Sequence, residues 1–202
     1  MKKKKKAFTL MEVILALSIS TIILGLVGTF FYVNNNSLIK TNIKSDLQKE
    51  GEAIQNQLIK VAQQSKDIKS IEIAGGMIPV DASTINYDSF INGANTDIKE
   101  ITFNQINDLG NKVPYTFALN ARDFTVSYMD GSNLVTIVLS NKVSSFKIVP
   151  IDYNNLTDAE RSNKKISSAK GVQVIVTLDK KQGTNEASQE FKTLIEFRNS
   201  DI

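Results

Sequence analysis

The chain has 202 residues, 24 of them Lys or Arg and 21 Asp or Glu, for a formal net charge of +3, and it contains no histidine, cysteine or tryptophan. Without His or Cys, neither the usual zinc ligand sets nor Ser-His-Asp, Cys-His or CxxC chemistry can be built, and no disulfide can form. Most enzyme classes fall away, no metal or other cofactor is expected, and any folded part must be held by its core alone. The length suits about one domain plus an appendage.

In chain order the first feature is a run of five lysines, Lys2, Lys3, Lys4, Lys5 and Lys6. An uncharged, mostly apolar stretch comes next at residues 13–33, and its 21 residues match the roughly 20 that a helix needs to cross a hydrocarbon core. Lysines abutting such a segment are a topology signal that keeps this end in the cytoplasm and places the chain beyond Val33 on the far side. Three readings compete: a secretory signal, a plain anchor, and a leader cut before the apolar run. A secretory signal is cut after its apolar region at a small-x-small site, and the stretch from Thr29 to Asn36 offers no convincing one. A plain anchor accounts for length and lysines but not for Glu12, a carboxylate at the mouth of the apolar run. An unpaired charge there costs roughly 2.5 kcal/mol or more, so an acid in this place is by default functional.

The sequence Ala7-Phe8-Thr9-Leu10-Met11-Glu12-Val13-Ile14-Leu15-Ala16 after the lysines resembles the class III leader of type IV prepilins and type II secretion pseudopilins. The resemblance implies cleavage by a prepilin peptidase between Ala7 and Phe8, and N-methylation of Phe8. It also implies that Glu12 pairs with the N-terminal amine of a neighbouring subunit, so that two charges costly in lipid compensate one another. Gly is the family norm before the cut, and Ala7 stands there instead. The implied partners are other pilin subunits, the peptidase and an inner-membrane assembly platform. The implied location is a single-pass membrane precursor with its head outside the cytoplasm, then a cell-surface pilus. Removal of residues 1–7 leaves 19 basic against 21 acidic side chains, a balance of −2, which gives bulk nucleic-acid binding no support.

Past the apolar run, Ile39, Ile43, Leu47, Ile54, Leu58 and Val61 recur at helical spacing, with Lys40, Lys44, Lys49, Glu50, Glu52 and Lys60 on other faces. The pattern predicts one helix from about Phe8 to Ser65, roughly 85 Å long at 1.5 Å per residue. Gly25, Gly28 and Gly51 are candidate points of bending, and Gly25 and Gly28 alternatively permit close helix packing.

From Ile68 the period becomes two. Phe124, Val126 and Tyr128 form one strand, Asp130-Gly131 a turn, and Val135, Ile137 and Leu139 the next. Val172, Val174, Val176 and Leu178 form another, with Phe191, Ile195 and Phe197 on one parity later. The expected fold is α+β: a long N-terminal helix plus a mostly antiparallel head. Its expected parts are residues 1–7 (leader), 8–33 (membrane and filament-core helix), 34–66 (amphipathic helix) and 67–202 (head). Residues 75–112 read as loops with one or two short strands, and residues 152–171 as a polar excursion.

Asp152-Tyr153-Asn154-Asn155-Leu156-Thr157-Asp158 spaces oxygen ligands partly as calcium needs, but lacks the glycine turn and closing glutamate of an EF-hand. The acids Asp158 and Glu160 lie in a polar stretch with no apolar pocket around them, so no catalytic residue is assigned and the chain is not read as an enzyme. The expected function is structural, as a minor pilin or pseudopilin. Residues 46–54 and the ending Glu196-Phe197-Arg198-Asn199 are similar to PilW-type or J-type minor subunits. The alternative is a filament-displayed binding module, an adhesin or DNA-uptake subunit. Clustering of Lys142, Lys147, Lys164, Lys165, Lys180 and Lys181 on one face would favour it.

Overall fold

The computed structural model describes residues 9–74, 80–88, 97–106 and 110–197. They fall into two units, one ending at Asn42 and one beginning at Ile43. The boundary lies inside a single helix, α1 (Leu10–Ala62).

In the first unit α1 is mostly apolar over residues 13–33, and residues 10–35 are exposed throughout. Three of its hydroxyls are satisfied locally: Ser18, Thr21 and Thr29 each donate to the carbonyl four residues back at 2.9 Å. That leaves no hydroxyl of these three seeking a partner in an apolar surrounding. Gly25 and Gly28 sit inside the helix with open space around them.

Among the described residues the second unit contains the end of α1 and nine strands: β1 (Ser65–Ile73), β2 (Val80–Asp81), β3 (Ile98–Ile106), β4 (Lys112–Asn120), β5 (Asp123–Asp130), β6 (Asn133–Ser140), β7 (Val143–Pro150), β8 (Gly171–Gln182) and β9 (Asn185–Glu196). They build a six-stranded sheet, β2-β1-β3-β4-β5-β6, and a three-stranded one, β7-β8-β9. Each of these pairings is antiparallel, so the α+β expectation holds.

The stripe on α1 explains how the helix docks. Ile43, Leu47, Ile54 and Leu58 are fully buried, each worth roughly 1.5–3 kcal/mol relative to exposure. Gly51 lies in the same stripe and proves to be a contact rather than a bend. A Cβ there would fall 2.1 Å from the Phe191 ring, so the missing side chain lets β9 approach. The helix ends at Ala62 rather than Ser65, because Ser65 already opens β1 and donates its hydroxyl to the Val61 carbonyl at 2.8 Å. Beneath the helix the inward residues of the sheets form an aromatic chain: Phe103 against Phe117, Phe117 against Phe124, and Phe124 against Phe146, with centroids 6.1, 6.0 and 4.8 Å apart. The predicted parities are seen in Val172, Val174, Val176 and Leu178 and in Phe191, Ile195 and Phe197, all buried.

Two regions differ from expectation. Residues 75–112 contain β3, a nine-residue strand between β1 and β4 and not a short piece in a loop. Its alternation is broken because register shifts against β1 place Ile98 and Ile101, three apart, both in the core. Residues 152–171 are ordered and pinned. A 3-10 turn (Tyr153–Asn155) leads to a short helix α2 (Asp158–Asn163), capped by Thr157 and Glu160, and then a second 3-10 turn (Ile166–Ser168). Ile166 is fully buried, and Asn86 pairs with Lys165 in an antiparallel bridge.

Candidate functional site

Of the residues singled out at the N-terminus, Glu12 can be placed. Ala7, Phe8 and the lysines Lys2, Lys3, Lys4, Lys5 and Lys6 lie outside the described residues. Thr9 and Glu12 form a reciprocal capping pair. Glu12 Oε2 accepts from the Thr9 amide at 2.8 Å and from its hydroxyl at 3.0 Å, while the Glu12 amide donates to Thr9 Oγ1 at 3.3 Å. This satisfies amides that a helix start otherwise leaves orphaned. The signal is present in the sequence as Thr9-Leu10-Met11-Glu12, a Ser/Thr-x-x-Glu pattern. A helix taken to begin at Phe8 hides it, because Thr9 then lies inside the helix rather than at its cap. Both Thr9 contacts fall on one carboxylate oxygen. Oε1 has no bond among the described residues, so the geometry leaves one face of the acid open to a further donor.

Beyond Glu12 the helix presents an apolar surface. Leu10, Met11, Leu24, Leu26, Phe30, Phe31 and Tyr32 are each at least 66% exposed. The most apolar 18-residue window of α1 has a mean hydropathy of 2.4, which makes the helix long and apolar enough to cross a membrane.

Among the described residues the head offers no comparable chemistry. Among the described residues no group of three His, Cys, Asp or Glu could hold a metal. Asp152 and Asp158, considered for calcium, face different partners: Asp152 accepts from Tyr87 Oη at 2.9 Å and pairs with Lys164, and Asp158 pairs with Arg161 at 3.0 Å. Burial works to raise the Asp152 pKa, but the hydrogen bonds from Lys164 and Tyr87 outweigh it and hold the carboxyl below its ordinary value. Burial and the same carboxylate push the Tyr87 phenol well above its usual range. Clefts lie beside Ile59, Gln63, Leu194 and Glu196, beside Leu156 and Glu160, and beside Gln57, Gln105, Tyr115 and Tyr128; none of these brings two carboxylates together.

The lysines that a phosphate-binding face would need are mostly engaged. Lys142 pairs with Glu50, Lys147 with Asp97, Lys164 with Asp152 and Lys180 with Asp46, and Lys165 donates to the Thr84 carbonyl. Each paired lysine brings its own anion, which weakens the field a polyanion would feel.

A family model for the prokaryotic N-terminal methylation motif matches residues 2–28. No curated relative matches the chain. The motif supports a class III prepilin leader and, with it, a type IV pilin-like filament subunit, and it implies pilin-type assembly and peptidase processing in general. The leader motif and apolar helix together fit a single-pass, membrane-anchored precursor.

Proposed function

We propose that this chain is a minor subunit of a type IV pilus or related filament. It is inserted with residues 1–7 in the cytoplasm, cut between Ala7 and Phe8, methylated on the Phe8 amine and assembled through residues 8–33. Residues 34–66 join that segment to a head outside the cytoplasm. The observation that carries this reading is the methylation motif at residues 2–28 coinciding with a helix whose apolar surface is uncovered. Such a surface needs either lipid or the same helix of other subunits, and a filament core of parallel helices supplies the second. Within that core Glu12 would turn its open oxygen to the methylated amine of a neighbour, each charge relieving the burial cost of the other.

The test is intact-mass analysis of the membrane-extracted protein from cells with and without the prepilin peptidase. A peptidase-dependent chain beginning at Phe8 and carrying one methyl group is expected. A chain that keeps its lysines in both strains would make the segment a plain anchor and end the assembly reading.

A further inference from the structure

Where α1 ends, the large sheet is only partly covered. On the face that carries the buried Phe117, Phe124 and Val126, Tyr115 of β4 and Tyr128 of β5 follow at the same parity and are half-buried. They stand opposite one another in the strand register and stack, with centroids 5.0 Å apart and ring planes 16° from parallel. At the rim of a core such rings keep an apolar body against the sheet and a polar tip toward water.

A cleft of about 140 Å³ lies beside this pair. Its other wall is the last turns of α1 and the turn that follows, with Gln57, Lys60, Val61 and Gln64, and Gln105 of β3 lines it as well. Among the described residues the Tyr115 and Tyr128 hydroxyls, the Gln57 amide and the Lys60 ammonium make no hydrogen bond or ion pair, while Gln64 and Gln105 bond each other. Burial, then Tyr128 and the charge of Asp130, raise the Tyr115 phenol above its ordinary pKa, so at neutral pH it is an uncharged donor. Unspent donors and acceptors therefore gather around a gap whose carbon surface is largely aromatic.

That combination selects a chemical class. Lys60 is the one charged side chain lining the cleft, and Asp130 stands near enough to act on Tyr115, so no cluster of positive charge is present to hold a phosphate. The volume falls well below the roughly 300–1,000 Å³ of a site that encloses a drug-sized molecule, which limits the occupant to a single small ring. A pyranose has the complementary surface: a C–H face for aromatic carbon, and hydroxyls around its edge for amides, ammonium and phenols. The geometry points to a binding site for one neutral hexopyranose unit, with Tyr115 and Tyr128 as the apolar wall and Gln57 and Lys60 bonding its hydroxyls. The site lies wholly within the unit that begins at Ile43, so it neither needs nor implies the filament reading.

The test is saturation-transfer NMR on the full-length protein, held in a detergent without a sugar headgroup, against the methyl glycosides of glucose, galactose, mannose and N-acetylglucosamine. At least one of these is expected to receive saturation, strongest at its ring C–H protons. Tyr128→Leu, which stays apolar but removes the aromatic face and the hydroxyl, should weaken that binding about tenfold. Gln57→Ala, at an exposed helix position, should weaken it severalfold, and it decides the matter if Tyr128→Leu lowers the thermal midpoint. Gln48→Ala, on α1 but outside the cleft, should leave binding unchanged. Transfer to none of the four glycosides, transfer that survives both Tyr128→Leu and Gln57→Ala, or equal loss in Gln48→Ala would each overturn the proposal. Inorganic phosphate that shifts the Tyr115 and Tyr128 ring signals where the glycosides do not would make the cleft an anion site and overturn it as well.

Discussion

The two halves of α1 draw on much the same aliphatic residues, yet residues 10–35 expose them all while residues 43–62 hide a stripe of them. The difference lies in what fills the remaining faces. In the first half apolar residues lie on every face, and no described element covers them. In the second, Lys44, Lys49 and Glu52 take the outer faces, Asp46 and Glu50 flank the stripe and bond Lys180 and Ser140, and only one narrow stripe is buried. Hydrophobicity alone does not make a core helix; the confinement of hydrophobicity to one face does.

The contrast is broken most sharply by truncation. Leu47→Ala should destabilise the head by about 2–5 kcal/mol through the cavity it leaves, whereas Leu24→Ala should leave its thermal midpoint in detergent within error. Equal effects would mean that the halves are not energetically distinct. Next in size is Gly51→Ala, which raises helix propensity but drives a methyl into Phe191. It should cost about 1–3 kcal/mol in denaturant unfolding, and Phe191→Leu in the same chain should recover much of the loss. In the exposed half only local bonds can be lost. Thr9→Ala removes the cap and should cost about 1 kcal/mol of local helix stability, seen as faster amide exchange in residues 10–13 with no change in head melting.

The smallest effect concerns pH. The hydrogen bond and charge of Lys180 hold the Asp46 carboxyl below its ordinary pKa. The stabilisation is then present above the unfolded value of about 3.9 and fades as pH falls through the lowered folded value. Asp46→Asn should flatten the acid limb of the melting curve slightly and change nothing at neutral pH beyond the loss of that pair.

The helix, the antiparallel head and the principal strands were legible because their signals are periodic and local: the stripe Ile43, Leu47, Ile54 and Leu58 for α1, and the alternation of Val172, Val174, Val176 and Leu178 for β8. β3 was not, since irregular pairing with β1 puts Ile98 and Ile101 on the same side. Gly51 reads as a weak point because its reason lies about 140 residues away in Phe191, and spacing cannot express a contact of that range. At the site Glu12 stood out by its cost in an apolar run, but its bond to Thr9 depended on where the helix starts, the least legible property of any helix.

The contacts between α1 and the last hairpin also set a schedule. Asp46 waits for Lys180, Gly51 for Phe191, and Gln55 for the Lys192 carbonyl at 3.0 Å. A chain made N-terminus first therefore leaves the β8–β9 side of the stripe at residues 43–62 uncovered until some of the last of these 202 residues have emerged. Such late closure is slow, and in the interval it exposes sticky surface. A ribosome stalled before residue 180 would hold a nascent chain whose helix can reach β6 through Glu50 and Ser140 but still lacks β9, a species that chaperones should bind and proteases should cut between Ile43 and Ala62.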